Sequence, residues 1–236
     1  MSEEKAMETG KTLTELTEEQ VKEWMATTQK KVQQKEIKRG PVITISREWG
    51  SGGSKVAYLL KDKFGKPWQV WDKEILDEIQ KNTEVNREVI ESLDEKSKSA
   101  FENFVDNIFA GTGRYFGIDD YRVNLVKVIS RIGHFGYAVI LGRGANFILP
   151  DAFRVRIVAS RRKRVDVMEK YEEVSESEAL LLMRRSDHER EDFVQRYFNS
   201  NINDPWNYDL CVKTSYLSPE AIAEMITLGV KEKFQL

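Results

Sequence analysis

Cysteine occurs once in the 236 residues, at Cys211, and histidine twice, at His134 and His188. One cysteine cannot close an internal disulfide, and a thiol with two imidazoles is too thin a set for a Cys/His metal centre. A reducing compartment is the simple expectation. Long apolar runs are missing as well: no stretch approaches the ~20 residues of a membrane-spanning helix. The opening MSEEKAMETGK lacks the apolar core of a signal peptide. Basic charge is not in excess, since 37 Lys and Arg face 39 Asp and Glu for a net charge of -2. Nucleic-acid binders usually carry a basic surplus. These absences predict a cytoplasmic protein with neither membrane nor nucleic acid as partner.

What is present is the material of a folded domain, 40% hydrophobic and 32% charged. Internal repeats and low-complexity tracts are absent. Thr17-Glu18-Glu19-Gln20 has the form of a capping box, and Val21, Trp24, Met25 and Val32 follow at helical spacing. An amphipathic helix is therefore expected over 18–36, ended by Gly40 and Pro41. Its apolar stripe can pack on the domain or join two copies of the chain as a homo-oligomer. Residues 1–40 form this N-terminal segment, and 41–236 form the main domain.

In the main domain, short β-branched runs alternate with helical patterns. Strands are expected at Val42–Ile45, Trp68–Trp71, Tyr137–Leu141, Val155–Val158 and Leu210–Val212. The pattern predicts an α/β fold of three layers, a parallel five-stranded sheet with helices on both faces. Between the second and third strands lie about 60 residues with only helical patterns, such as Val89-Ile90-Leu93 and Leu125-Val126-Ile129-Ile132. One crossover helix needs far fewer, so a helical subdomain is expected at about 73–135. Ser175 to Glu178 is a second capping box, and Ser218-Pro219 opens a C-terminal helix.

The chemistry concentrates after the first strand. Ile45-Ser46-Arg47-Glu48-Trp49-Gly50-Ser51-Gly52-Gly53-Ser54-Lys55 runs from strand through glycines into a helix. Glycines let a backbone turn sharply towards a ligand, and the amides at a helix N-terminus suit phosphate. Laid on G-x-x-x-x-G-K-[ST], residues 47–54 read R-E-W-G-S-G-G-S. Gly52 and Ser54 match, Arg47 replaces the first glycine and Gly53 the lysine. Lys55 lies about 200° around the helix from position 53, so Arg47 is the better candidate for the replacement cation. A glycine turn without a ligand is the alternative.

Five stretches carry a resemblance: ITISREWGSGGSKVA, WQVWDKEI, VILGRGANFILPDA, MRRSDHER and NYDLCVKTSYLSPEAI. In this order they resemble the cytidylate kinase-like branch of the nucleoside monophosphate kinases over about residues 41–234. The resemblance implies a kinase using ATP and Mg²⁺, with CMP or a related small-molecule nucleotide as acceptor. Gly50, Ser51, Gly52, Gly53, Ser54 and Lys55 would form the phosphate-binding stretch, with the Ser54 hydroxyl facing Mg²⁺. Asp72, Arg143 and Asp187 would serve the acceptor. Arg185 and Arg190, in a lid at about 180–200, would act with Arg47 on the transferring phosphoryl group. The chain departs from the family at Leu141, Lys73 and Gly144, where acidic or small hydroxyl residues are expected. A nucleotide-sensing module without turnover and a kinase of another hydroxyl acceptor remain as alternatives.

The other charged stretches read more plainly. Arg161-Arg162-Lys163-Arg164 fits a solvated helix start, with a phosphate role as the alternative that the family resemblance implies. His188 fits the surface and His134 a structural position, and Trp206 and Tyr208 fit packing at a turn.

Overall fold

The computed structural model describes residues 8–32, 40–82, 85–86, 89 and 120–236. Five strands are observed: β1 (Val42–Arg47), β2 (Gln69–Trp71), β3 (Ala138–Leu141), β4 (Phe153–Val158) and β5 (Leu210–Lys213). All pair in parallel, in the order β2-β3-β1-β4-β5. β1 holds the centre, with Ile43 opposite both Val139 of β3 and Phe153 of β4. The chain steps out from β1 to β2 on one side and passes from β3 to β4 on the other. In such sheets ligands bind beyond the carboxyl ends of the strands flanking that reversal.

The alternation of β1 divides the core. Ile43 and Ile45 face α2 (Gly53–Phe64) and α8 (Pro219–Phe234), packing with Val56, Leu60, Ile222 and Ile226. Val42 faces the other layer, with Ile75 and Ile79 of α3 (Lys73–Lys81) and Leu125 and Ile129 of α4 (Asp120–Phe135). The expected helical segment at about 73–135 thus contributes α3 and α4, together with buried Val85 and Val89. Ile90 and Leu93 lie outside the described residues. Short α5 (Ala145–Ile148) follows β3, and α6 (Arg161–Glu172) and α7 (Glu176–Phe198) follow β4. Ser175 and Ser218 cap α7 and α8 as expected.

The first helix departs from expectation at its start. α1 runs Leu13–Val32. Its capping box is Thr12 with Glu15: the Glu15 N–H donates to Thr12 Oγ1 at 3.2 Å and the Thr12 N–H donates to Glu15 Oε2 at 2.8 Å. Thr17 lies inside the helix and donates to the Leu13 carbonyl. The sequence holds two boxes in tandem, and the upstream one wins because the helix gains a turn that packs, with Thr14 bonded to Glu78 of α3. The apolar stripe packs on the domain. Val21 and Trp24 are buried, and Trp24 meets Trp71 and Phe135 edge-on at 5.2 and 5.1 Å. Gln20 Nε2 donates to the Val70 carbonyl on the edge strand β2 at 2.7 Å. No described helix is long and apolar enough to cross a membrane.

Candidate functional site

The turn after β1 is held from behind. The Glu48 N–H donates to the Ile157 carbonyl of β4. Both the N–H and the hydroxyl of Ser51 donate to the Glu48 carbonyl, and Thr214 Oγ1 donates to the Ser51 carbonyl. Ser51 is therefore a brace, its donors spent inside the loop. Gly50 and Gly52 have φ of 75° and 83°, a left-handed backbone that only glycine adopts without strain. These turns leave the N–H groups of Gly50, Gly52, Gly53 and Ser54 with no hydrogen-bond partner among the described residues. They cluster at the start of α2, where unpaired amides and the helix dipole favour an anion.

Arg47 explains the missing lysine. A Cβ on Gly53 would lie 2.9 Å from Arg47 Cβ and 3.1 Å from its Cγ, so the arginine stem fills the room a side chain at 53 would need. The guanidinium then reaches the residue that follows β3, where a Cβ on Gly142 would sit 2.2 Å from Arg47 Nη1. Burial, then the nearby Arg190 and Arg143 charges, lower the Arg47 pKa to about 10, while Glu74 and Asp72 oppose the fall. Arg47 is thus a cation at neutral pH, set between the loop and the end of β3.

A second arginine group stands on the other side of the loop. Arg164 of α6 is 7% exposed. Its Nε donates to the Trp49 carbonyl at 2.5 Å, and its guanidinium pairs with Asp187 and, at 3.6 Å, with Glu48. Asp187 of α7 accepts from the Trp49 N–H at 3.0 Å and pairs with Arg190 at 3.3 Å. Burial lowers the Arg190 pKa, Asp187 opposes this, and Arg156 and Arg164 add to it. Arg156 of β4 is 6% exposed and donates to Ser46 Oγ and Asn203 Oδ1, both at 2.9 Å.

Across Arg47 lies an acidic flank. Asp72 caps α3 by accepting from the Ile75 N–H and also accepts from the Tyr58 hydroxyl. Glu74 follows one residue into the helix, and its pKa is raised by burial first and then by the Asp72 carboxylate. Arg143 sits at φ 51° between two glycines of positive φ. Its guanidinium pairs with Asp77 of α3 and lies 5.9 and 5.4 Å from the rings of Tyr121 and Phe193.

Most of the expected residues meet here: Arg47, Gly50, Gly52, Gly53, Ser54, Asp72, Arg143, Asp187 and Arg190. Two do not. Lys55 is exposed and faces Glu220 at 3.6 Å, and Arg185 is exposed and bonds Glu189 one turn along. Arg164 overturns the solvated reading of its stretch: Arg161, Arg162 and Lys163 are exposed, but the fourth residue turns inward. Glu74 and Arg156 were missed outright. Arg156 did leave a signal, an arginine in the apolar strand FRVRIV. Trp206 does not pack, being 89% exposed, whereas Tyr208 is buried and its hydroxyl donates to the Ile202 carbonyl. His188 lies on the surface beside Asp192.

The family model of the cytidylate kinase-like family matches residues 42–216, a span that takes in the loop, the acidic flank and the arginines of α7. The chain belongs to the cytidylate kinase-like family. α1 lies outside the matched span. No curated protein matches the chain significantly. Among solved structures, an uncharacterized protein from Eubacterium ventriosum ATCC 27560 superposes with a TM-score of 0.64 at 26% identity, over 82% of this chain and 99% of that one. TT1252 from Thermus thermophilus gives 0.42 at 15% identity, over 82% and 98%, and APE1195 gives 0.40 at 16%, over 85% and 99%. The family model supports a kinase-like, nucleotide-using fold.

Proposed function

We propose that this member of the family transfers the γ-phosphoryl group of ATP to CMP or a related acceptor. One observation carries the reading. The unpaired amides of Gly50, Gly52, Gly53 and Ser54 form an anion cradle, and Arg47 brings a cation through the space that Gly53 leaves open. Phosphoryl transfer asks of a protein mainly position and charge. Here the backbone holds the anionic oxygens of the donor. The Arg47 guanidinium supplies positive charge between the donor cradle and the acidic flank, with Arg190 nearby. Ser54 is the hydroxyl of the loop free to face Mg²⁺, which would arrive on the phosphates of ATP, keep most of its water and neutralise their charge. Asp72 and Glu74 line the acceptor side, where carboxylates accept hydrogen bonds from hydroxyl or amino groups.

The test is ADP release from Mg·ATP across a panel of nucleoside monophosphates, measured by a coupled assay. Turnover with CMP is expected, and Arg47→Ala should slow it about 100-fold, the usual effect of removing one preorganised donor to the transferring charge. Unchanged turnover in that variant overturns the role of Arg47. A second reading, a nucleotide sensor without turnover, is favoured by one feature: Arg143 is already paired with Asp77. It predicts tight ATP binding with no ADP release for any acceptor.

A further inference from the structure

The apolar stripe of α1, the surface the sequence offers for joining two copies, is buried within the domain. α8 carries a second stripe. Its inner face packs Ile222, Ala223, Ile226 and Val230 into the core. Its outer face shows Met225 and Leu228, which at this spacing are neighbours on one side of a helix. An exposed leucine stands just beyond each end, Leu217 before the Ser218 cap and Leu236 after the Gln235 cap. These four apolar side chains are between 40% and 71% exposed. Their order reads the same in both directions. Two copies of α8 laid antiparallel and centred between Ile226 and Thr227 set Met225 of each against Leu228 of the other, and Leu217 of each against Leu236 of the other. That is the self-complementary pattern of a two-fold interface.

The charges agree with this arrangement. Glu224 and Lys231 lie about two turns apart on one flank of the stripe. Antiparallel copies bring Glu224 beside Lys231 twice, whereas parallel copies would bring like charges together. Glu224 bonds Lys63, yet its side chain stays 65% exposed, so its carboxylate remains open to a second lysine. Glu232, also on this face, falls opposite the first turn of the other helix, where the helix N-terminus favours an acid. We propose that the outer face of α8 joins two copies of this chain in an antiparallel, two-fold pair. A face one helix wide falls short of the about 800 Å² per partner of a standard interface, so the dimer is weak and forms with rising concentration.

Sedimentation equilibrium of the full chain, from about 1 μM to about 1 mM, the range of weak complexes, tests this. The wild type should pass from monomer to dimer over that range. Leu228→Glu should stay monomeric throughout. Glu224→Lys and Lys231→Glu should each weaken the dimer about tenfold, since each turns two attractive contacts repulsive. The double variant Glu224→Lys, Lys231→Glu should restore the wild-type dissociation constant, which neither a merely structural role nor a parallel pair would produce. Circular dichroism establishes that each variant is folded, and Met225→Glu takes the place of Leu228→Glu if that variant is not. A wild type that stays monomeric, a Leu228→Glu variant that still dimerises, or a double variant that remains weak overturns the proposal.

Discussion

At the scale of single residues, Arg47 and Gly53 are one device in two places. The arginine stem occupies the volume next to position 53, and the glycine is what admits it. Gly53→Lys alone should cost about 1–3 kcal/mol through overpacking against Arg47. The double variant Arg47→Gly, Gly53→Lys removes the obstruction and places a cation at the lysine position of the usual motif. Urea unfolding of the four proteins should give a coupling of more than about 0.5 kcal/mol, in the sense that the pair is more stable than the sum of its parts. Additive effects would show that the two positions do not share the space.

Among the elements, α1 precedes the span that the family model matches, yet it is built into the core. Trp24 is fully buried between Trp71 and Phe135, and Gln20 satisfies a carbonyl of the edge strand β2. Trp71 immediately precedes Asp72, so α1 buttresses the strand end from which the acidic flank begins. Trp24→Ala should lower the unfolding free energy by about 3–5 kcal/mol, the usual cost of deleting a buried tryptophan. A loss below about 1 kcal/mol in denaturant unfolding would mean that α1 merely rests on the domain.

For the molecule as a whole, the far end of the sheet is closed by one carboxylate. Asp209, just before β5, accepts from the Arg154 N–H and guanidinium of β4 and from Lys233 of α8, which also donates to the Ala152 carbonyl. Burial pushes the Asp209 carboxyl up, but the Arg154 and Lys233 hydrogen bonds outweigh it and hold the pKa at about 2, against an ordinary 3.8. A carboxyl with a lowered folded pKa stabilises fully above its unfolded value and loses that contribution as pH falls through its folded value. Asp209→Asn should therefore melt below wild type at neutral pH, and the gap should close between pH of about 4 and 2. A gap that is the same at both ends would show that charge is not what Asp209 contributes.

The sequence by itself determined the parts whose cause is local. β-branched runs gave the five strands, Ser175 and Ser218 gave helix starts, and glycines at 50 and 52 gave the turn. Each is set by neighbours a few residues away, through sterics, capping or backbone freedom. Where two local signals competed, as with the capping boxes at Thr12 and Thr17, packing against α3 chose between them. Tertiary structure alone decided which charges became part of the site. Arg164 and Arg190 turn inward while Arg161 and Arg185, similar on paper, stay in solvent. Asp187 meets Trp49 across 138 residues of chain. A charged side chain is buried only where a distant partner compensates its lost hydration, and that partner exists only once the sheet has brought the loop and α7 together.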